Sequence, residues 1–397
     1  MGSRTRPTGS AYRSRKSGAS PRHWRSALRP SDHRFKHRSG YRAGMPTTDP
    51  TRCPLCGGAN ACAMAKADGD ATAGADCWCS GRTIDPAALA AIPEELRMRA
   101  CLCANCSDGA MDDPNAGVRR VVDPGGRTAF ALERGRQRAL VSATGAQVLS
   151  WHDGDRDVLW TASAPVYEQQ KPVRGGVPVV FPWFGDHADG QLPAHGFARS
   201  KQWRLAESRP GAIRLELTDD AGTRSVWPHA FHLALDVELT DGGLRLGLAV
   251  ENSGDAPFRF EEALHTYFAV GDVHTAEVRG LEGVPFTEFA REPEADWDAS
   301  APLRFRAETD RVFQQVPDEI RLVAPTLAHE VVLRGRNARS AIVWNPWPNK
   351  TRRLSQMHAD DWRSFCCIET ANVKDGAIEL PPGESHRMRL DLSVVRR

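Results

Sequence analysis

From about residue 120 onward the chain alternates apolar and polar positions in short runs cut by turn residues, the period-two pattern of strands with one buried face. Leu233, Leu235, Val237 and Leu239 are separated by Ala234, Asp236 and Glu238. Asp241-Gly242-Gly243 supplies a turn, and Leu244, Leu246, Leu248 and Val250 return in the same alternation, which predicts a hairpin. Residues 141–160, broken at Asp153-Gly154-Asp155, predict another. Further strands are predicted around 213–217, 330–333, 341–344 and 388–392, and no long helical periodicity or internal repeat interrupts them. Roughly 280 residues of strands and turns predict an all-β fold, a large antiparallel sandwich.

The preceding segment has another texture. Eight of the ten cysteines lie between Cys53 and Cys106. Cys53 and Cys56 form a C-x2-C knuckle; Cys62, Cys77 and Cys79 follow, then Cys101, Cys103 and Cys106. Within the segment, Leu89, Ile92 and Leu96 stand at helical spacing and predict a short amphipathic helix over 86–99. Thiolates on tight turns suit tetrahedral zinc at about 2.3 Å. About seventy residues cannot build a large core, so a metal would supply stability that burial cannot. A structural zinc site is expected from a subset of the eight, with a redox or cluster site as the other reading. The stretch resembles the bacterial cysteine-rich "CWC" family, named for the motif that reads here Cys77-Trp78-Cys79. The last two cysteines, Cys366 and Cys367, are adjacent; in an alternating strand they face opposite sides and read as small strand residues.

Charge divides the chain unevenly. Residues 1–45 carry twelve Lys/Arg against the single acid Asp32, with hardly any aliphatic residues, so this segment is expected to be disordered. A nucleic-acid-binding tail is one reading; because Met45 stands just before the first motif, the favoured one is a translation artefact with the start at Met45. Nucleic acid is therefore not expected as a partner. No window approaches eighteen apolar residues and no apolar segment follows the early charges, so neither a membrane span nor a secretory signal is expected. The expectation is a cytoplasmic monomer of three parts: a tail (1–45), a cysteine-rich module (46–112) and a β domain (113–397) whose first residues, 113–119, are a linker.

Four stretches of the β domain are too unusual for ordinary strand or turn sequence. The first runs from Arg174-Gly175-Gly176-Val177-Pro178 into Phe181-Pro182-Trp183-Phe184-Gly185, where two glycines allow close backbone approach and prolines keep the segment out of a sheet centre. The second is Pro193-Ala194-His195-Gly196-Phe197-Ala198-Arg199, and the third Glu261-Glu262-Ala263-Leu264-His265-Thr266-Tyr267-Phe268. The fourth spans Trp344-Asn345-Pro346-Trp347, Met357 and Asp360-Asp361 to Cys366-Cys367-Ile368-Glu369-Thr370. In order and spacing these stretches resemble the aldose-1-epimerase superfamily and, within it, the branch acting on hexose 6-phosphates. The resemblance implies a galactose-mutarotase-like β-supersandwich with a sugar cleft on its concave face.

Exchanging anomers means opening a cyclic hemiacetal and closing it on the other carbonyl face, which needs one proton delivered and one removed but no cofactor. By resemblance His265 is the acid and Glu369 the base. Taken alone, His265 reads as a hydrogen-bonded strand histidine and Glu369 as an exposed carboxylate. His195 is expected to bond sugar oxygens, or only to order its turn, and Asp310 to accept from sugar hydroxyls. Arg174 and Arg199 stand in the motifs that distinguish the phosphosugar branch, which implies a clamp on a 6-phosphate through bidentate, charge-assisted bonds. Trp183, Phe184 and Tyr267 are candidates to stack on the sugar or to fill core. The expected substrate is a hexose 6-phosphate, glucose 6-phosphate first. The rival from another class is a non-catalytic sugar-phosphate-binding sandwich, which would not require both His265 and Glu369. A glycosidase would need two carboxylates flanking the bond, and one is found.

Overall fold

In the computed structural model the alternation becomes antiparallel sheets that share one core. The structure describes residues 118–396 except 164–166, 168–170, 188 and 189, together with 49–54, 60–63, 77, 79, 80, 84, 86–90, 92 and 96–107. All belong to one unit, Ala43–Arg397. The expected disordered tail, residues 113–117 of the expected linker, Cys56 and Trp78 lie outside the described residues, while Val118 and Arg119, expected in that linker, begin a strand.

The predicted hairpin is the pair Phe231–Thr240 and Gly243–Asn252, with Leu239 opposite Leu244 and Leu235 opposite Leu248. It lies within a nine-stranded sheet beside the long strand Ser385–Arg396, itself next to His329–Arg336. A seven-stranded sheet runs in the order Phe286–Glu288, Thr309–Gln314, Ser340–Asn345, Phe365–Asn372, Glu262–Leu264 and Val179–Val180. Tyr267–Ala269 also pairs with Phe365–Asn372. A four-stranded meander, Val118–Val122 to Val148–His152, and a two-stranded sheet, Phe258–Phe260 with Ile378–Leu380, complete the set among the described residues. Leu233, Leu246 and Leu390 of the larger sheet pack in one buried cluster with Val343, Cys366 and Ile368 of the smaller one and Phe130 and Trp151 of the meander. This is the expected sandwich.

The smaller sheet is buried on both faces. Along Phe365–Asn372, Cys366 and Ile368 face the central core while Phe365, Cys367 and Ala371 join a second cluster with Ile342, Trp344 and Tyr267. The adjacent cysteines therefore take opposite faces, both fully buried. This parity puts Glu369 on the second face, beside Cys367 and Ala371.

Two sequence expectations need correction. Residues 141–160 make two reversals rather than one: Gln137–Ser142 pairs with Val148–His152 across a turn at Gly145 and Ala146, both at positive φ, and Asp153–Arg156 turns the chain again. Among the described residues of the predicted amphipathic helix, α-helix is formed at Pro86–Ala90, with turns at 97–99 and Leu89 exposed. No helix among the described residues is long and apolar enough to cross a membrane.

Candidate active site

Strand register brings the third and fourth motifs together. Leu264 pairs with Thr370, so the next step sets His265 against Glu369. His265 Nε2 lies 3.4 Å from Glu369 Oε1, with both side chains buried. Ile342 is directly opposite Glu369, Trp344 opposite Cys367 and Asp310 opposite Trp344. Every second residue thus contributes to one surface, which floors a cavity of about 640 Å³ lined by Arg174, His195, Arg199, His265, Asp310 and Glu369, among others. All six site residues named from the sequence border it, and its size suits a small ligand.

The loops around the floor are set by backbone constraints. Gly175 and Gly176 have positive φ, and a Cβ on Gly176 would lie 2.0 Å from the Val148 carbonyl oxygen. The close approach expected there is to the chain's own backbone, with Gly176 N–H donating to Trp160 O and Tyr267 N–H to Gly176 O. This fixes the base of the Arg174 side chain, whose Nη1 donates to the Tyr267 hydroxyl at 3.3 Å. His195 has φ +62, held by its N–H to Gly185 O and by the Gly185 N–H donating to its Nδ1 at 3.3 Å. Nδ1 accepting leaves the ring proton on Nε2. Arg199 donates to Ala194 O at 2.6 Å. Neither Arg174 nor Arg199 has a carboxylate partner among the described residues.

His265 stacks on Tyr267 at 4.9 Å and meets the edges of His195 and Trp344. Its Nδ1 and the second Glu369 oxygen are buried without a protein hydrogen-bond partner, so both have bonding capacity left for a ligand in the cavity. Burial, then His195, Arg199 and Arg174, hold the His265 imidazole well below its usual pKa. Burial, then Asp310, push the Glu369 carboxyl well above its own, against Arg199. Both shifts favour neutral forms, so a proton shared by the pair sits on Glu369. Burial and then Arg199 lower His195 to about 3, so it too is neutral. Burial lowers Arg199 to about 10, still cationic at neutral pH.

Sequence reasoning missed Lys350, on the short helix Trp347–Thr351, which reaches Asp310 Oδ2 at 2.9 Å and Glu308 at 3.1 Å. Lys171 and Lys374 also border the cavity. No motif carried these lysines; only the folded chain brings them here. Of the aromatic candidates, Phe184 and Tyr267 line the cavity, whereas Trp183 packs on His187 and Phe197 and donates to Pro193 O, buttressing the loop.

In the cysteine-rich segment, the Cys53, Cys103 and Cys106 sulfurs lie within 4.8 Å of one another. Three convergent thiols suit a soft divalent metal, which would cross-link the segment. Cys106 Sγ also accepts from Arg120 Nη1 at 3.0 Å, joining the segment to the strand Val118–Val122.

The sandwich and its pocket place the protein in the mutarotase class. A Salmonella typhimurium structure described as a "putative mutarotase" aligns with a TM-score of 0.63 at 26% identity, over 70% of this chain and 94% of that one. Residues 129–393 match the family described as Aldose 1-epimerase, and the chain belongs to that family. Two curated relatives, each named "Putative glucose-6-phosphate 1-epimerase", come from Cenchrus ciliaris (30% identity over 71% of this chain and 89% of the relative) and Escherichia coli K12 (33% over 62% and 83%). Residues 53–108 match the Cysteine-rich CWC family.

Proposed function

We propose that the protein interconverts the α and β anomers of hexose 6-phosphates, glucose 6-phosphate above all, with His265 and Glu369 exchanging protons and Arg174 and Arg199 holding the phosphate. The observation that carries this reading is the 3.4 Å His265–Glu369 pair in a cavity that also presents two arginines without carboxylate partners. Family membership and the names of the relatives support the same reaction class.

Ring opening requires a proton to arrive at the ring oxygen as the C1–O5 bond breaks, and another to leave the C1 hydroxyl as the C1 carbonyl forms. The pair holds one proton and one lone pair, which is what both transfers need. With the proton on Glu369, the carboxyl donates and the neutral imidazole accepts. Bound phosphate would cancel part of the Arg174 and Arg199 field that opposes protonation of His265. The resemblance assigns the roles in the opposite state of the pair, imidazolium and carboxylate, in which His265 is the acid and Glu369 the base. Rotation about C1–C2 exposes the other carbonyl face, and closure reverses both transfers. His195 donates from Nε2 to a sugar oxygen, and Asp310, held by Lys350, accepts from hydroxyls. Exchange NMR on equilibrated anomers tests the proposal: wild type should accelerate exchange of hexose 6-phosphates, and His265→Ala should reduce this by about 10²–10⁴-fold. Exchange at the buffer rate with wild type, while sugar phosphate still binds, would instead favour a binding module.

A further inference from the structure

We propose that Cys62, Cys77, Cys79 and Cys101 form a second metal site, a four-thiolate zinc site distinct from the Cys53, Cys103 and Cys106 cluster, so that the module holds two ions. The four thiols stand in two close pairs. Cys62 Sγ lies 3.1 Å from Cys101 Sγ, and Cys79 Sγ 3.4 Å from Cys77 Sγ. The two pairs are neighbours in the module, the Cys77 thiol standing beside Cys62, but no three of the four sulfurs lie within 4.8 Å of one another. Tetrahedral zinc with bonds of about 2.3 Å sets its sulfurs about 3.8 Å apart, so on binding each close pair opens by less than about 1 Å and the two pairs draw together around the ion.

The backbone around this set is organised independently of the first. Asn60 is 1% exposed and fully used: its Oδ1 accepts from Cys62 N–H at 3.0 Å, and its Nδ2 donates to Cys101 O at 3.0 Å and Pro50 O at 2.8 Å. One buried amide therefore ties together the two chain segments, 39 residues apart, that carry Cys62 and Cys101. Cys101-Leu102-Cys103 divides between the sets, with Cys101 at Cys62 and Cys103 at Cys53 and Cys106, while Leu102 enters the small core. That core has only Cys53, Ala88, Ile92, Leu102 and Cys106 fully buried among the described residues. A segment of about seventy residues cannot build a large core, and two cross-links at opposite ends of Leu102 would add stability that burial cannot. All-sulfur donors select zinc over magnesium or calcium, and binding releases the thiol protons to solvent.

The test is metal stoichiometry of the full chain purified with reductant and loaded with zinc, by plasma mass spectrometry. Two ions per chain are expected, falling to one in Cys62→Ser/Cys101→Ser. Alkylation of the zinc-loaded wild type, mapped by mass spectrometry, reads the site without any variant: Cys62, Cys77, Cys79 and Cys101 should be protected by zinc and labelled after chelation. One ion or none in wild type overturns the second site. So does labelling of these four in the zinc-loaded protein, or a Cys62–Cys101 disulfide that persists in reductant.

Discussion

Glu369→Gln separates what the buried carboxyl does for the reaction from what it does to stability. The amide keeps the shape of the protonated side chain but neither ionises nor relays protons. At the cavity floor Glu369 is 1% exposed, has His265 as its close polar neighbour and leaves one oxygen unpartnered. Burial, then Asp310, raises its pKa above the ordinary 4.5. Below that ordinary value folded and unfolded chains both hold the proton, and the carboxyl adds no pH dependence. Above it the unfolded chain loses the proton while the folded chain keeps it, so wild type loses about 1.4 kcal/mol of stability per pH unit until the raised pKa is passed. His265, lowered on folding, has the opposite slope up to its ordinary 6.5 and masks part of this below that pH. The wild-type-minus-variant difference is therefore cleanest above pH 6.5. Urea denaturation at pH 5 to 9 should show Glu369→Gln gaining on wild type as pH rises, with anomer exchange down by about 10²–10⁴-fold. A flat difference, or wild type gaining on the variant, would mean that Glu369 is ionised in the folded protein across this range, and the placement of the proton on Glu369 would be wrong.

Other outcomes follow from the same geometry. Arg199→Met should weaken inorganic phosphate binding, measured by calorimetry, by on the order of 10- to 100-fold, because a charge-assisted bond contributes about 1.5–3 kcal/mol; unchanged binding would move the phosphate elsewhere. Gly176→Ala places a Cβ 2.0 Å from Val148 O at positive φ, and should cost about 2–5 kcal/mol in denaturant midpoint measurements. Chelation should leave the exchange rate of hexose 6-phosphates unchanged, since the thiol clusters stand outside the cavity lining.

The sandwich was legible because alternation survives in strands such as Phe231–Thr240, whose inward residues after Phe231 are Leu233, Leu235, Val237 and Leu239, all aliphatic. His265 and Glu369 were legible as motif members, and the parity of Phe365–Asn372 explains why Glu369 shares a face with Cys367. Lys350 was hidden because its partner Asp310 lies 40 residues away on another element. The same is true of the state of the acid–base pair: burial sets it, and burial at one position depends on loops from four motifs. Glycines 175 and 176 announced a tight approach but not its target. Among the cysteines, spacing predicted a metal module, whereas the proposed division into two sets rests on Asn60 and Leu102, which carry no metal signature.

The most direct test compares anomer exchange of glucose 6-phosphate and of glucose by the wild-type chain at equal concentration. The phosphate ester should be accelerated well above the buffer rate and by a kcat/KM at least about 10-fold higher than that for glucose, as one charge-assisted phosphate contact requires. Equal acceleration of both sugars would contradict the arginine clamp, and acceleration of neither would contradict the mutarotase itself.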